Sequence, residues 1–160
     1  GERLWGHPGL RPLSGLQDTV SSPIGAYRWE HTDRALTEQL LLEDEGQPAT
    51  VGLGHAAVRY TNPTTGGDVM PTIRCEFHRL RAGIETPARQ EVGSSVFQVF
   101  EGAGSVVLGS ETRKLEKGDL FVVPSWVKWS LQAETQFDLF RFSDAPIIER
   151  LNFMRTKVEG

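Results

Sequence analysis

The fold class that this chain predicts is all-β, a barrel or sandwich, and three observations carry it. From His55 onward, short runs rich in β-branched and aromatic residues follow one another at close spacing. Gly, Pro, Asn and Asp punctuate the joints between them. The 160 residues suit a single domain with a sizeable core, and no alternation of strand-like and helix-like segments signals βαβ units.

Residues 1–50 form an arm and a helix ahead of the barrel, which takes up 51–160. Leu4 to Ile24 mixes Gly, Pro and Ser with isolated apolar residues and keeps no period, so it reads as an arm. Thr32 caps a helix running to about Glu45, with Asp33 at the positive end of the helix dipole and Leu36, Leu40 and Leu41 at helical spacing. Gly46 and Pro48 stop it. Seven strands are then expected: Ala56–Thr61, Thr72–Leu80, Ser94–Phe100, Ser105–Leu108, Leu120–Val123, Val127–Leu131 and Phe137–Phe142. Asn62 to Asp68 is a loop by composition. Glu101-Gly102-Ala103-Gly104 predicts a hairpin turn, its glycines being available for positive φ. Ser143 or Asp144 caps a short closing helix with Pro146 in its first turn, which packs Ile147, Ile148 and Leu151 on the barrel.

Composition excludes several functions. The formal charge of −4 is mixed in sign and leaves no basic stripe, so nothing argues for nucleic acid or an anionic membrane as partner. No apolar run approaches the about 20 residues that span a bilayer, and the start, Gly-Glu-Arg, is unlike an export leader. A soluble, cytoplasmic protein is expected. The lone Cys75 excludes an internal disulfide and a cysteine zinc cluster, and by strand parity it is a small buried apolar residue. Nucleophile-elbow, phosphate-loop, dinucleotide and zinc-protease patterns are missing from the sequence.

Two Gly-bounded segments, Gly83 to Gly102 and Gly118 to Trp129, resemble the paired motifs of the cupin superfamily, G-x5-H-x-H-x3,4-E-x6-G and G-x5-P-x-G-x2-H-x3-N. Within it the chain is similar to the C-terminal half of the gentisate 1,2-dioxygenases, bicupins with two such barrels in one chain. The resemblance rests on Tyr27 to Thr32, Arg59 to Asp68 with its Asn-Pro-Thr-Thr-Gly-Gly run, Pro71 to Leu80, Gly93 to Phe100, Gly118 to Trp126 and Phe140 to Pro146. It implies a cupin-type jelly roll with an N-terminal arm and helix and a short C-terminal helix. It also implies that Fe(II), held by three histidines of the N-terminal cupin, opens gentisate with O₂ to maleylpyruvate. On that reading residues 1–50 are interdomain, the first cupin is missing, and the Gly1 start agrees with a truncation. The partners would be that N-terminal cupin and further subunits of a homo-oligomer, a tetramer in the parent.

Laid on Gly83 and Gly102, the first motif puts Arg89 and Glu91 at its histidine positions and Ser95 at its glutamate; the second puts Trp129 at its histidine. One carboxylate with no imidazole does not hold Fe(II), so no cofactor is expected in this half. Period-2 alternation turns Ser95, Phe97 and Val99, Phe121 and Val123, and Val127, Trp129 and Leu131 inward. A small barrel so lined is filled by its own side chains. Arg89 and Glu91 read either as an ion pair at the barrel mouth or as a residual anion pocket with Arg89 as its fork. His55, Glu76 and His78 are the remaining candidates for an unconventional metal site, weighed against plain structural histidines. Trp126, pointing outward beside Lys128, is a candidate contact patch. Three readings stand at this point: a non-catalytic, oligomerising half of a dioxygenase, a stand-alone degenerate cupin that binds a small aromatic acid without turnover, and an enzyme with a metal on His55 and His78.

Overall fold

The computed structural model describes residues 27–159. The arm expected over Leu4–Ile24 lies outside them. Among the described residues there are ten strands: β1 (His55–Arg59), β2 (Arg74–Leu80), β3 (Arg89–Glu91), β4 (Ser95–Glu101), β5 (Gly104–Leu108), β6 (Glu111–Leu115), β7 (Leu120–Val123), β8 (Trp129–Ala133), β9 (Phe137–Ser143) and β10 (Thr156–Val158). They form two five-stranded sheets, ordered β1-β2-β9-β4-β7 and β10-β3-β8-β5-β6, with every pairing antiparallel. This is the jelly-roll arrangement of a cupin.

Seven of the ten strands fall where β-branched and aromatic runs predict them. The other three are short or polar. Gln90 flanked by Arg89 and Glu91 gives β3 no apolar signal, β6 buries only Leu115, and all three residues of β10 are exposed. Tertiary pairing makes these strands, with Thr156–Val158 adding to Arg89–Glu91 at the sheet edge. The strand expected from Val127 begins instead at Trp129, because Trp126 at φ 64° breaks the extended run.

The turn expected at Glu101–Gly104 is not a hairpin. β4 pairs with β7 and β9, whereas β5 pairs with β6 and β8, so the chain changes sheets here. The glycines serve close approach as well as φ. A Cβ on Gly102, at φ 88°, would sit 1.9 Å from the Gln136 carbonyl, and one on Gly104 would sit 2.3 Å from that of Gln132.

Helix α1 (Trp29–Asp44) starts a turn before the expected cap, with Arg28 extended at its N-cap. Thr32 lies inside it, buried, with its hydroxyl 3.0 Å from that of Tyr60. Gly46 ends it with φ 80°, as its position predicts. Leu36 and Leu40 pack on Ala56 and Phe77, covering the outer face of β1 and β2. Arg79 of β2 locks the helix down through Asp33 at 2.7 Å and Thr37 at 3.1 Å, and the same guanidinium grips Asp138 of β9 with two bonds of 2.8 Å.

Helix α2 (Ala145–Arg150) is where expected, yet it buries Pro146. Ile147 and Leu151 are exposed, and only Ile148 of the expected trio is half-buried. Its Asp144 makes no side-chain cap and instead accepts the Ser94 amide at 2.9 Å. Cys75 is half-buried rather than buried, because it lies toward the open end of β2.

The two sheets share one core of Leu80, Phe97, Val99, Val106, Leu115, Phe121, Val123, Trp129, Leu131, Ala133, Phe137 and Leu139. Its aromatic centre is Phe97, stacked on Phe121 at 4.9 Å and tilted against Trp129 at 5.2 Å. Inward alternation on β4, β7 and β8 is as the sequence predicts, except for Val127, which is half-buried ahead of β8.

Candidate functional site

Strand alternation also brings polar residues inward, and they collect at one end of the barrel. On β9 the inward positions are Phe137, Leu139, Arg141 and Ser143, facing Leu80, His78, Glu76 and Arg74 across β2. On β4, Ser95 faces Ser143 and Phe97 faces Arg141. The apolar half of each row makes the core, and the polar half makes the mouth.

Arg141 is the centre of this mouth. Its Nη2 donates to Glu91 Oε2 at 2.6 Å and to Ser95 Oγ at 2.8 Å, and its Nε donates to Ser95 Oγ at 3.0 Å. Nη1 is 3.3 Å from Glu76 Oε2. Below, the guanidinium carbon lies 5.4 Å from the Phe97 ring and 5.7 Å from that of Trp129, within cation–π range. Three of the four motif positions, Glu91, Ser95 and Trp129, therefore surround one buried guanidinium. The fourth, Arg89, faces Trp129 in the β3–β8 register, lies 5.7 Å from its ring and pairs with Glu91 at 3.5 Å. A guanidinium stands among the positions where the cupin pattern puts metal ligands.

Glu76 and the histidines continue the network. Burial works to raise the Glu76 carboxyl, but His78, Arg141 and Arg74 outweigh it and hold the group at about 2. His55 Nε2 and His78 Nδ1 are 2.9 Å apart, and His78 Nε2 is 3.8 Å from Glu76 Oε2. Burial, helped by His78 and Arg89 and opposed by Glu76, pushes His55 down to about 3, so the imidazole pair shares its hydrogen bond neutral at His55.

Above these groups is a cavity of about 260 Å³, lined among others by His78, Arg89, Glu91, Arg141 and Ser143. Two lining atoms, His78 Nε2 and Ser143 Oγ, are buried without a hydrogen-bond partner, as is Trp129 Nε1 deeper in the barrel. Arg74, Arg89 and Arg141 in the wall are outnumbered by Glu76, Glu91, Asp144 and Glu149.

The donor set does not suit a metal ion. Among the described residues no group of three or more His, Cys, Asp or Glu side chains is placed to hold one. The structure does bring His55, Glu76 and His78 together, but the two imidazoles spend a nitrogen each on one another. At the motif positions Glu91 is already neutralised by two arginines. No model of a protein family matches the chain. Curated relatives do. A gentisate 1,2-dioxygenase from Streptomyces sp is 58% identical over 98% of this chain, which spans 43% of that protein. A 5-aminosalicylate 1,2-dioxygenase from Comamonas sp is 30% identical over 93% of the chain. Crystal structures of a salicylate 1,2-dioxygenase from Pseudoaminobacter salicylatoxidans share 84% of the sequence over 99% of the chain, at a TM-score of 0.85.

The chain belongs to the gentisate 1,2-dioxygenase family. It spans less than half the length of those relatives, 43% of the Streptomyces protein and 46% of a solved salicylate enzyme chain. Within a gentisate 1,2-dioxygenase frame, the residue that sequence reasoning left out of the site is Arg141. Its signal was available: it is the charged residue on the inward parity of a strand whose neighbours at that parity are Leu139 and Ser143. The expected contact patch divides. Trp126 is exposed, its amide bonded to the Glu91 carbonyl at 2.7 Å, while Lys128 is engaged by Glu159 at 2.6 Å. Among the described residues, no helix is long and apolar enough to cross a membrane.

Proposed function

We propose that this chain is the C-terminal barrel of a gentisate 1,2-dioxygenase-type enzyme and that it carries no catalytic metal. In the parent, Fe(II) in the N-terminal cupin supplies the chemistry that opens gentisate with O₂ to maleylpyruvate. This half serves as the structural support of that cupin and as an oligomerising surface in a cytoplasmic homo-oligomer. One observation carries the reading: the Arg141 guanidinium fills the ligand frame and satisfies Glu91, Ser95 and Glu76, leaving no set of donors for iron. The names and lengths of the relatives support placing this chain within a longer ring-cleaving dioxygenase. The test compares this chain with the full-length parent, both reconstituted with Fe(II). Gentisate-dependent oxygen uptake is expected from the parent and not from the chain; uptake by the chain alone would refute the division of labour.

A second reading is kept alive by the cavity at Arg89, which is large enough for a small aromatic acid. The balance of charge weakens it. A carboxylate would enter a wall in which acidic groups outnumber arginines, and Arg141 is already engaged by Glu91 and Ser95. Calorimetric titration with gentisate and salicylate is expected to give no heat of binding.

A further inference from the structure

The Arg141 guanidinium is held as a metal ion is held. Its terminal nitrogens lie against three oxygens, Glu91 Oε2 at 2.6 Å, Ser95 Oγ at 2.8 Å and Glu76 Oε2 at 3.3 Å. These come from three strands, β3, β4 and β2, so the fold encloses the cation rather than one strand meeting it. A fourth donor stands beside them. His78 is 8% exposed, and its Nε2 lies 3.8 Å from Glu76 Oε2 with no hydrogen-bond partner. Its Nδ1 is fixed 2.9 Å from His55 Nε2, and in the tautomer that keeps the shared proton on His78 the Nε2 lone pair faces the carboxylates. Such a contact on the far nitrogen is what orients a ligating imidazole.

We propose that Glu76, His78, Glu91 and Ser95 form a divalent-cation site in which the Arg141 guanidinium is the resident cation, so that a barrel without this side chain takes up a transition-metal ion in its place. Two carboxylates, an imidazole and a hydroxyl are donor types that suit such an ion. The set is not the cupin motif refilled, because Glu76 and His78 lie on β2, outside both motif segments. In wild type the donors are spent on the guanidinium, and its nitrogens hold the two carboxylates apart. Once it is removed, each glutamate side chain is free to close on a single ion. An ion has a way in, since Glu76 and Glu91 are about one-fifth exposed and both line the mouth cavity. Arg89, 3.5 Å from Glu91, opposes the incoming charge and sets the affinity down.

The test titrates this chain with Mn(II), read as loss of the free-ion signal in electron paramagnetic resonance and as a change in melting temperature. Wild type is expected to leave the ion free. Arg141→Ala should take up one Mn(II) per chain and melt higher as Mn(II) is added. Arg141→Ala/Glu76→Gln and Arg141→Ala/Glu91→Gln should each bind at least about tenfold more weakly, and Arg141→Ala/Arg89→Gln more tightly. A folded Arg141→Ala that leaves Mn(II) free overturns the assignment. So does uptake that survives both glutamine changes, and so does uptake by wild type, since the guanidinium would then not hold the ion's place. Should Arg141→Ala fail to fold, refolding decides. Recovery of near-ultraviolet circular dichroism in Mn(II) but not in sodium chloride of equal ionic strength supports the site, and no recovery in either rules it out. Oxygen uptake by parent and chain tests the half-enzyme reading separately, and neither of its results bears on Mn(II) uptake by Arg141→Ala.

Discussion

At the scale of single residues, the barrel mouth depends on Arg141, which is 9% exposed and lies between two carboxylates. Replacing it with a methionine keeps the stem and removes the charge, so Glu91 is left with Arg89 as its loose partner and Glu76 with His78 and Arg74. The expected loss is up to about 3 kcal/mol in urea denaturation, below the about 3–5 kcal/mol typical of a broken buried pair because both carboxylates keep some water. Adding Glu76→Gln and Glu91→Gln to Arg141→Met should recover most of it; no recovery would mean that Arg141 acts through packing on Phe97 and Trp129. The neighbouring histidines predict an acid limb. His55 has a folded value of about 3, below its ordinary one, so between about 6.5 and 3 the unfolded chain binds the extra proton. Stability is therefore full above that window and falls as pH drops through it. Glu76, held at about 2, adds a further loss as pH falls from its ordinary range toward that value. Thermal melts from pH 7 to pH 3.5 should show the decline, and His55→Gln should flatten its upper part.

Among the elements, glycines at superficially similar turns separate by what lies beside them. Gly83, at φ 80°, has nothing within 4 Å of a Cβ, so Gly83→Ala should cost about 1 kcal/mol from the left-handed backbone alone. Gly102 has the Gln136 carbonyl where the Cβ would go, and Gly102→Ala should cost clearly more. Equal midpoints for the two variants in denaturant would show that the sheet-changing corner relaxes freely. The docking of α1 gives a second contrast. Arg79 is 5% exposed and joins β2, β9 and the helix, so Arg79→Met should destabilise the domain by about 3–5 kcal/mol. Arg81 grips Asp44 at the surface, where solvent screens the pair, so its loss should shift the denaturation midpoint far less than that of Arg79. Legibility followed the same division. Strands announced by β-branched and aromatic runs, β2, β4, β7 and β9 above all, were readable from the chain. β3, β6 and β10 were not, because polar residues there are extended by their partners rather than by their own preference. The helix start was misread because Thr32, a good cap by type, is used for a buried hydroxyl pair with Tyr60.

For the whole molecule, spacing alone located the four motif positions and showed that none carries an imidazole. The Arg141 group that closes them was not legible as part of the site, because β9 lies outside both motif segments and only antiparallel pairing with β2 and β4 brings it there. The apolar layer of the barrel interior was legible from alternation, whereas the open polar cavity above it depends on where Glu76, His78 and Ser143 fall in register. The molecule thus joins a packed core to a mouth whose cation is built in as a side chain. That claim is tested most directly by anaerobic incubation of this chain with excess Fe(II), followed by desalting and metal analysis. A barrel whose ligand frame is filled by Arg141 should retain no iron above the level of a protein blank, and wild type should match Glu91→Gln. Retention of one iron per chain, abolished by Glu91→Gln or His78→Gln, would contradict it.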